Sequence, residues 1–504
     1  MNSRSILTLF GSVAFGLALF IGWSQHAGAA PPNFVVIIAD DMSWDDCGAY
    51  GHPSIRTPNI DRLAEEGMRF DRAFLTISSC SPSRASIITG RYPHRTDAEE
   101  LHWPLPGEQT TFTELLRGAG YWCGAAGKWH LGDEVKDRFD TILAADTSGF
   151  QLPSGKAAET GKFVETTAGD ERSGCADWVP LLRERPRDKP FFAWLAALDP
   201  HRPYDRELVA DQYQASDVRL PPYHPDHEDV RKDYLDYYAE ITRLDRFVGN
   251  VIDELKQQGV ADNTFVLFLS DNGRPFPRDK TTLYDSGIRT PFLVRFPKMV
   301  KPGAVCSTLV SSIDIAPTVL ELAQVAIPAS VDGVSFVRQL EKPESVSRKY
   351  AFAEKNWHDF EDHVRAVRDV RFKYIRNYYD DLPNTPPADA VRSPTFVYMK
   401  ARHEQGKLAE PFQACFQAPR PSEELYDTWA DPHEVRNLVL IPEFSEQLAE
   451  MRQALRDWET QTGDAPPELR TADEFDRVTG KPTAARRRPR WSKKKMVTAG
   501  LVAP

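Results

Sequence analysis

The chain has few cysteines, no spacing pattern among them, and no excess of positive charge. Its 504 residues contain six cysteines, with no C-x-x-C pair and no spacing typical of a zinc site. The spacing also predicts no particular disulfide. The net charge of −11 argues against non-specific nucleic-acid binding by the body of the protein, because phosphate backbones attract basic surfaces.

Long hydrophobic runs are equally scarce, and the longest stands at the N-terminus. Arg4 precedes an apolar run at residues 6–23, and the small residues Ala27-Gly28-Ala29-Ala30 follow it. This order is typical of a cleaved export signal, so we predict a signal peptide at 1–30 and a periplasmic or secreted protein. The run is just long enough to serve as a membrane anchor. The small-residue site favours cleavage over anchoring, and we expect no stable membrane insertion.

Short apolar runs alternate with helical patterns through the first two thirds of the chain. Residues 34–39, 191–198, 264–269 and 291–296 have the character of buried strands. Apolar residues spaced three and four apart predict a helix that ends near Gly259, and they are Tyr237, Ile241, Leu244, Val248, Val251 and Leu255. Alternating strands and helices indicate an α/β sheet.

The pattern changes after about residue 345. Residues 364–375 alternate around Arg368-Asp369 like an antiparallel pair, and an apolar stripe predicts a final helix at Leu448, Met451, Leu455 and Trp458. We therefore predict domains at 31–345 and 346–470. Residues 471–504 carry RRRPRWSKKK and read as a basic, disordered tail, although such a tail could also contact polyanions.

Two predicted strands end in acidic or amide residues. Asp40-Asp41 follows the first strand, and Asp271-Asn272 follows the strand at 264–269. The carboxyl ends of strands form the edge where open α/β sheets bind ligands. Taken alone, an Asp pair after a strand is more often a turn or a helix cap. Two such ends that converge would form an oxygen-only ligand set suited to calcium or magnesium.

The stretch CSPSRASIITGR begins at Cys80 and carries the strongest signal. Pro82 fits the first turn of a helix, so Cys80 would stand just before a helix N-terminus, where free N–H groups favour an anion. Arg84 adds a fixed fork of donors one turn later. For a cysteine alone, a buried structural role beside a helix cap is the better interpretation, but the whole string is too particular for it.

This stretch resembles the sulfatase signature, C-x-P-S-R followed by an apolar pair and T-G-R. The resemblance covers nearly the whole mature chain, through Asp40-Asp41, Gly127-Lys128-Trp129-His130, Pro200-His201, Ser270-Asp271-Asn272-Gly273, Lys280 before Tyr284, and Glu424-Leu425-Tyr426-Asp427. It implies an alkaline-phosphatase-like mixed α/β sheet flanked by helices. A smaller C-terminal α+β domain on an antiparallel sheet is implied as well.

The resemblance also implies the site residues. Cys80 would be oxidised to formylglycine by a maturation enzyme. One calcium ion would be bound by Asp40, Asp41, Asp271, Asn272 and an oxygen of the modified Cys80. Arg84 and Lys128 would hold the hydrated aldehyde and the sulfate, and His130 would take a proton from the hydrate. His201 and Lys280 would contact the sulfate and the leaving group. Without the family, each histidine would read as structural or as a loop residue.

The expected reaction is hydrolysis of a sulfate ester or a sulfamate on a sulfated glycan or amino sugar. The closest likeness within the family is to the heparan N-sulfatases, carried by SSCSPSRAS, SDNG, SPTF, ELYD and DPHE. Two departures weigh against strict N-selectivity: Lys280 stands where that pattern has Arg, and Gly127-Lys128-Trp129-His130 has the general sulfatase form. Calcium rather than magnesium follows from the resemblance alone.

Two other functions remain open at this point. A phosphomonoesterase or phosphodiesterase of the same superfamily could use the same metal and arginine, but it would often carry a second, His-rich metal site that the sequence lacks. A non-catalytic polyanion-binding protein could be recruited by the basic tail. Every catalytic position is filled, which argues against this third function.

Overall fold

The computed structural model describes residues 30–147, 169–205, 212–468, 470–483 and 493–498. The predicted signal peptide therefore lies outside the described residues. Among the helices in the described ranges, none combines the length and the apolar character needed to span a bilayer.

A mixed eight-stranded sheet forms the centre of the fold, in the order β5-β4-β6-β1-β7-β8-β2-β9. The strands of this sheet and of a two-stranded ladder are β1 Asn33–Ala39, β2 Met68–Phe70, β3 Ala73–Phe74, β4 Trp122–Gly127, β5 Thr141–Ala144, β6 Phe191–Ala196, β7 Thr264–Ser270, β8 Phe292–Arg295, β9 Ala304–Cys306 and β10 Val310–Ser311. Strands β5, β4, β6, β1 and β7 run parallel, and β8 is antiparallel to β7. All four predicted strands are confirmed.

The central strands are apolar because both faces of the sheet are covered. Phe34, Val36 and Ile38 of β1 pack into one apolar cluster, while Val35 and Ile37 pack into another. This is the arrangement expected of strands buried in an α/β sheet. It holds the carboxyl ends of β1 and β7 in fixed positions.

The α-helices formed by the described residues are α1 Pro58–Glu65, α2 Cys80–Thr89, α3 Phe112–Gly118, α4 Trp178–Glu184, α5 Glu228–Gln257, α6 Asp285–Ile288, α7 Ile315–Leu322, α8 Val337–Glu341, α9 Ala388–Val391, α10 Pro394–Glu404, α11 Ser445–Thr462 and α12 Lys493–Thr498. The long α5 contains the predicted apolar stripe, and the helix begins at Glu228, before the first residue of the stripe. Gly259 follows it at φ +68°, the left-handed conformation that ends helices.

A second, four-stranded antiparallel sheet has the order β11-β12-β13-β14. Its strands are β11 Ala351–Lys355, β12 Val364–Arg368, β13 Phe372–Asn377 and β14 Glu423–Asp427. The predicted antiparallel pair is the β12–β13 hairpin, and the predicted final helix is α11. The apolar stripe of α11 is buried, as its spacing indicated.

Part of the predicted tail is folded. Phe475 is buried in an apolar cluster with Phe360, and Trp357 donates a hydrogen bond to the carbonyl of Ala472. Arg477 donates to the carboxylate of Asp473. The expectation of disorder is therefore wrong for 470–483, because one buried aromatic side chain and several backbone contacts attach this segment to the rest of the protein.

Candidate active site

Three aspartates and one asparagine meet at the carboxyl ends of β1 and β7. Ala39 pairs with Ser270 in the parallel ladder, so Asp40-Asp41 and Asp271-Asn272 leave the sheet side by side. Asp41 has φ 73°, a left-handed conformation that is rare outside glycine and typical of functional sites. All four side chains are fully buried. The two strand ends therefore converge.

Cys80 is the first residue of α2 and faces this acidic group. Its thiol donates to Asp40 Oδ1 at 3.7 Å, and the amide of Asn272 donates to Cys80 Sγ at 3.2 Å. The side chain is 2% exposed and packs beside Leu101 and Trp357. Burial raises the pKa of the Cys80 thiol to about 12. An unmodified Cys80 would therefore hold a neutral thiol rather than a nucleophilic thiolate.

Each buried aspartate pairs closely with one cation, and Arg84 Nη2 also lies 3.9 Å from Asp40 Oδ1. Arg84 Nη2 lies 2.8 Å from Asp271 Oδ2, and Lys280 Nζ lies 2.6 Å from Asp41 Oδ2. The third pair joins Lys128 Nζ to Asp40 Oδ2.

The pKa values of the carboxyls reflect this competition between burial and charge. Burial works against ionisation of Asp40, but Lys128, His201 and Arg84 together lower its pKa. Burial raises the pKa of Asp41 to about 7 in spite of Lys280, and the charge of Asp40 adds to this rise. The two adjacent acids thus differ strongly in how readily they ionise.

The ligand chemistry of this group fits a hard divalent cation. The amide nitrogen of Asn272 lies 3.0 Å from Asp41 Oδ1 and 2.8 Å from Asp271 Oδ1, so a donor occupies the point on which the acidic oxygens converge. The buried Oδ1 of Asn272 has no hydrogen-bond partner among the described residues. A buried polar atom without a partner is costly, and an amide oxygen beside carboxylates is a ligand that calcium and magnesium accept.

Two histidines line the same site. His201 Nε2 lies 3.7 Å from Asp41 Oδ2, and its Nδ1 lies against the carbonyl of its neighbour Arg202. Burial is the main cause that lowers the pKa of His201 to about 4, and Lys280 lowers it further. His130 Nε2 lies 2.7 Å from Nδ1 of His102. His102 in turn lies near Cys80, since its backbone N–H donates to Ser81 Oγ at 2.7 Å.

Three side chains of the site lie outside the predicted set. They are His102, His358, whose Nδ1 lies 2.7 Å from Ser79 Oγ, and Asp389, whose Oδ2 lies 3.8 Å from His201 Nε2. His102 and His358 stand in no motif. Asp389 precedes the SPTF string at Ser393 by four residues, and that string was the one sequence signal that could have drawn attention to it.

The described part of the chain contains one cluster of three or more side chains that could ligate a metal through His, Cys, Asp or Glu. It consists of Asp40, Asp41, Cys80 and His201. The second, His-rich site that a phosphatase of this architecture often carries is therefore not found in the described ranges.

Comparison with protein families gives two matches. A family described as "Sulfatase" matches residues 32–325, and one described as "N-sulphoglucosamine sulphohydrolase, C-terminal" matches residues 276–392. An ulvan-active sulfatase of Formosa agariphila is 31% identical over 490 residues, covering 86% of this chain and 75% of that protein. Human N-sulphoglucosamine sulphohydrolase is 29% identical over 474 residues, covering 86% of this chain and 91% of that protein.

Solved structures share the fold. A protein in complex with its substrate D-glucosamine-2-N,6-O-disulfate superposes with a TM-score of 0.65 at 22% identity, covering 86% of this chain and 98% of that one. A 2-O glycosaminoglycan sulfatase gives a TM-score of 0.64 at 22% identity, covering 92% of this chain and 99% of that one. At this level of identity, the superpositions support the mixed α/β sheet and the antiparallel C-terminal sheet.

Proposed function

Because this chain belongs to the sulfatase family, and is thus a sulfuric ester hydrolase, we propose that it uses a formylglycine made from Cys80 and a calcium ion to release sulfate. The substrate class is a sulfate ester or sulfamate on a sulfated glycan or amino sugar, as the names of the relatives suggest. An exported protein, matured by a formylglycine-generating enzyme, fits this substrate class.

One observation carries the proposal: side chains from distant parts of the chain converge on Cys80 at the N-terminus of α2. The oxygen-rich group of Asp40, Asp41, Asp271 and Asn272 would hold the calcium ion, and the buried, unpartnered oxygen of Asn272 supports this ligand set. When bound, the ion would act as a Lewis acid that polarises the sulfate and the attacking oxygen. The free N–H groups at the helix start favour the same anion.

The cations of the site are suited to the charge of a sulfate. Arg84 is held rigidly, since its Nη1 donates to the carbonyl of Lys128 at 3.0 Å while its Nε donates to Asp271 at 2.8 Å. Lys128 directly follows β4, and Lys280 lies in the loop before α6. Fixed donors in a buried site stabilise developing negative charge far better than donors in water.

Proton transfer falls to the histidines. A formylglycine hydrate has two hydroxyls, one to attack sulfur and one whose deprotonation expels sulfate and restores the aldehyde. We assign His130 Nδ1 as the acceptor of that proton. His130 Nε2 can then donate its own proton across the 2.7 Å contact to His102 Nδ1. His201 and Lys280 lie on the side of Asp41 and would protonate the leaving group, His201 once the negative charge of a bound sulfate raises the low pKa that burial gives it.

The first experiment combines peptide mass around residue 80 with sulfate release. Protein from a host that carries a maturation enzyme is compared with the Cys80→Ala variant and with Cys306→Ala, a matched change at another buried free cysteine. Substrates are N-sulfated glucosamine, O-sulfated glucosamine and an aryl sulfate. We expect aldehyde at position 80 and sulfate release from the wild type and Cys306→Ala, and neither from Cys80→Ala.

The results of this experiment identify the bond that is cleaved and test whether residue 80 is the nucleophile. Release from only one of the two glucosamines assigns the bond that is cleaved, S–N or S–O. A free thiol at position 80 in a maturation-competent host, with no release from any substrate, would contradict the proposed chemistry. Release by Cys80→Ala would contradict it as well, because the nucleophile would then lie elsewhere.

A further inference from the structure

One acidic side chain of the active site has no part in the chemistry assigned so far. Asp389 lies in α9, next to the four-stranded sheet in the sequence, yet its Oδ2 is 3.8 Å from Nε2 of His201. The side chain is 13% exposed, although Oδ2 itself is buried. The same Nε2 lies 3.7 Å from Asp41 Oδ2, so Asp389 stands beside the histidine that we place next to the leaving group.

Hydrogen bonds on both sides of α9 fix the position of Asp389. The backbone N–H of Ala388 donates to Asp359 at 2.9 Å, which fixes the start of α9. At the other end, Thr395 donates to Asp233 at 2.7 Å, and the same carboxylate holds Arg202 through two hydrogen bonds of 2.6 and 2.8 Å. Since Arg202 follows His201 directly, the segment that carries Asp389 is tied to the loop that carries the catalytic histidine.

The two oxygens of Asp389 differ in their surroundings. Oδ1 accepts the backbone N–H of Ala390 at 2.7 Å, whereas the buried Oδ2 accepts no hydrogen bond from any described residue. Burial opposes ionisation of this carboxyl, but Lys280, His201, Arg202 and His358 together lower its pKa to about 2. The carboxylate is therefore charged, and one of its oxygens retains its capacity to accept a donor.

A negative charge at this place does not help to bind sulfate. Arg84 and Lys128 gather around Cys80, and although Lys280 acts on Asp389, the carboxylate itself would repel a sulfate that approached it. Asp389 is also not one of the carboxylates whose oxygens surround the amide of Asn272. A charged carboxylate with an unused acceptor is instead suited to a hydroxyl or amino group of the substrate.

We propose that Asp389 is a specificity-determining residue that accepts a hydrogen bond from a hydroxyl or amino group of the sugar, on the ring that carries the scissile sulfate. This inference rests on the proposed function, and it names the group of the sugar that the site would recognise in addition to the sulfate. It assigns selection of the sugar to a residue of the C-terminal region, while the sulfate is held by residues of the large sheet.

A positioning role is the rival explanation. In that case Asp389 would act through His201, and its loss would slow every substrate whose leaving group needs a proton. An aryl sulfate alone cannot separate the two roles, because its leaving group departs without one. The test therefore needs an alkyl probe that demands the same proton but offers no hydroxyl or amino group near the sulfate.

The experiment compares wild type with Asp389→Asn, which retains an oxygen for the Ala390 N–H, and with Asp381→Asn at an exposed ion pair with Arg470. Substrates are taken as a matched pair, N-sulfoglucosamine with cyclohexylsulfamate or glucosamine 6-sulfate with cyclohexylmethyl sulfate, together with 4-methylumbelliferyl sulfate. The pair used is the one that the wild type hydrolyses. Aldehyde content at position 80 and thermal unfolding are measured for each variant.

We expect Asp389→Asn to lower kcat/KM for the sugar by about 10- to 100-fold, the loss typical of a hydrogen bond to a charged group. The cyclohexyl probe and the aryl sulfate should be unaffected, as should every substrate of Asp381→Asn. An equal loss on the sugar and the cyclohexyl probe would overturn the proposal in favour of positioning, and an unchanged sugar would overturn it outright. If the wild type releases sulfate from nothing, the proposed function itself fails.

Discussion

Calcium should stabilise the folded protein, and Asp271 should be necessary for the effect. A ligand that binds only the folded state adds about 2.7 kcal/mol when its free concentration is a hundred times its dissociation constant. The three carboxylates and the amide that would bind the ion are fully buried and come together only through the pairing of β1 with β7. The unfolded chain has no such site, so the whole binding energy should appear as stability.

The Asp271→Asn variant separates ligand loss from general damage. It removes one of the three carboxylates and also leaves the buried Arg84 without its partner at 2.8 Å, a change that typically costs about 3–5 kcal/mol. The variant should therefore unfold at a lower temperature without calcium and should gain little when calcium is added. Asp253→Asn, at an exposed ion pair, provides the control and should respond like the wild type.

The assay is thermal unfolding of chelator-treated protein against free calcium, with magnesium titrated in parallel. A midpoint that rises with calcium in the wild type and stays flat in Asp271→Asn is the expected result. The ligand set would be refuted by an equal rise in both proteins, or by a wild type that ignores calcium while sulfate release persists in chelator. A larger response to magnesium would correct the identity of the ion.

Three further predictions concern regions around the site. Asp233→Asn breaks a buried pair with Arg202 and should cost about 3–5 kcal/mol in denaturant unfolding; a loss below 1 kcal/mol would show that the pair does not tie the C-terminal region to the His201 loop. Burial opposes protonation of His94, but the pair with Glu354 outweighs it and raises the pKa above 6.5. The stability that wild type holds over His94→Gln should therefore be largest below about pH 6.5 and fade as pH rises through the folded pKa; a difference that grows with pH would contradict this. Removal of residues 484–504 should weaken retention on a heparin column at unchanged sulfate release, because that segment carries the RRRPRWSKKK string; a parallel loss of sulfate release would show that the tail serves catalysis.

Much of the site could be predicted from sequence because its signals are local. Two wholly apolar runs predicted β1 and β7, and the acidic residues that follow these runs placed Asp40 and Asp271 at the strand ends. The helix at Cys80 followed from Pro82 in its first turn, and the structure starts that helix at Cys80 itself. In each case the backbone preference, the burial pattern and the chemistry of the end residue pointed to the same element.

The remaining residues could not be predicted because they depend on packing across long stretches of chain. His102 and His130, which contact each other, both have a left-handed backbone conformation, with φ 67° and 50°. No local sequence pattern indicates either conformation. His358 and Asp389 come from the region of the second sheet, and each lies more than a hundred residues along the chain from the residue that it contacts in the site, Ser79 and His201 respectively. Residues 470–483 are polar enough to suggest disorder, and their attachment depends on the burial of Phe475 and on the hydrogen bond from Trp357 to Ala472, which no local pattern indicates.

The charge balance of the site links metal binding to sulfate binding. Asp40, Asp41 and Asp271 are each neutralised by one of the three buried cations, so the set as it stands offers little net attraction to an anion. A divalent cation bound by the same three carboxylates would take over that neutralisation and leave two positive charges in excess, in a buried site where water screens them weakly. The cations would then be available to the sulfate. Calcium should therefore lower KM for an anionic substrate as well as raise stability, and the two effects should share one dissociation constant, because a single ion causes both.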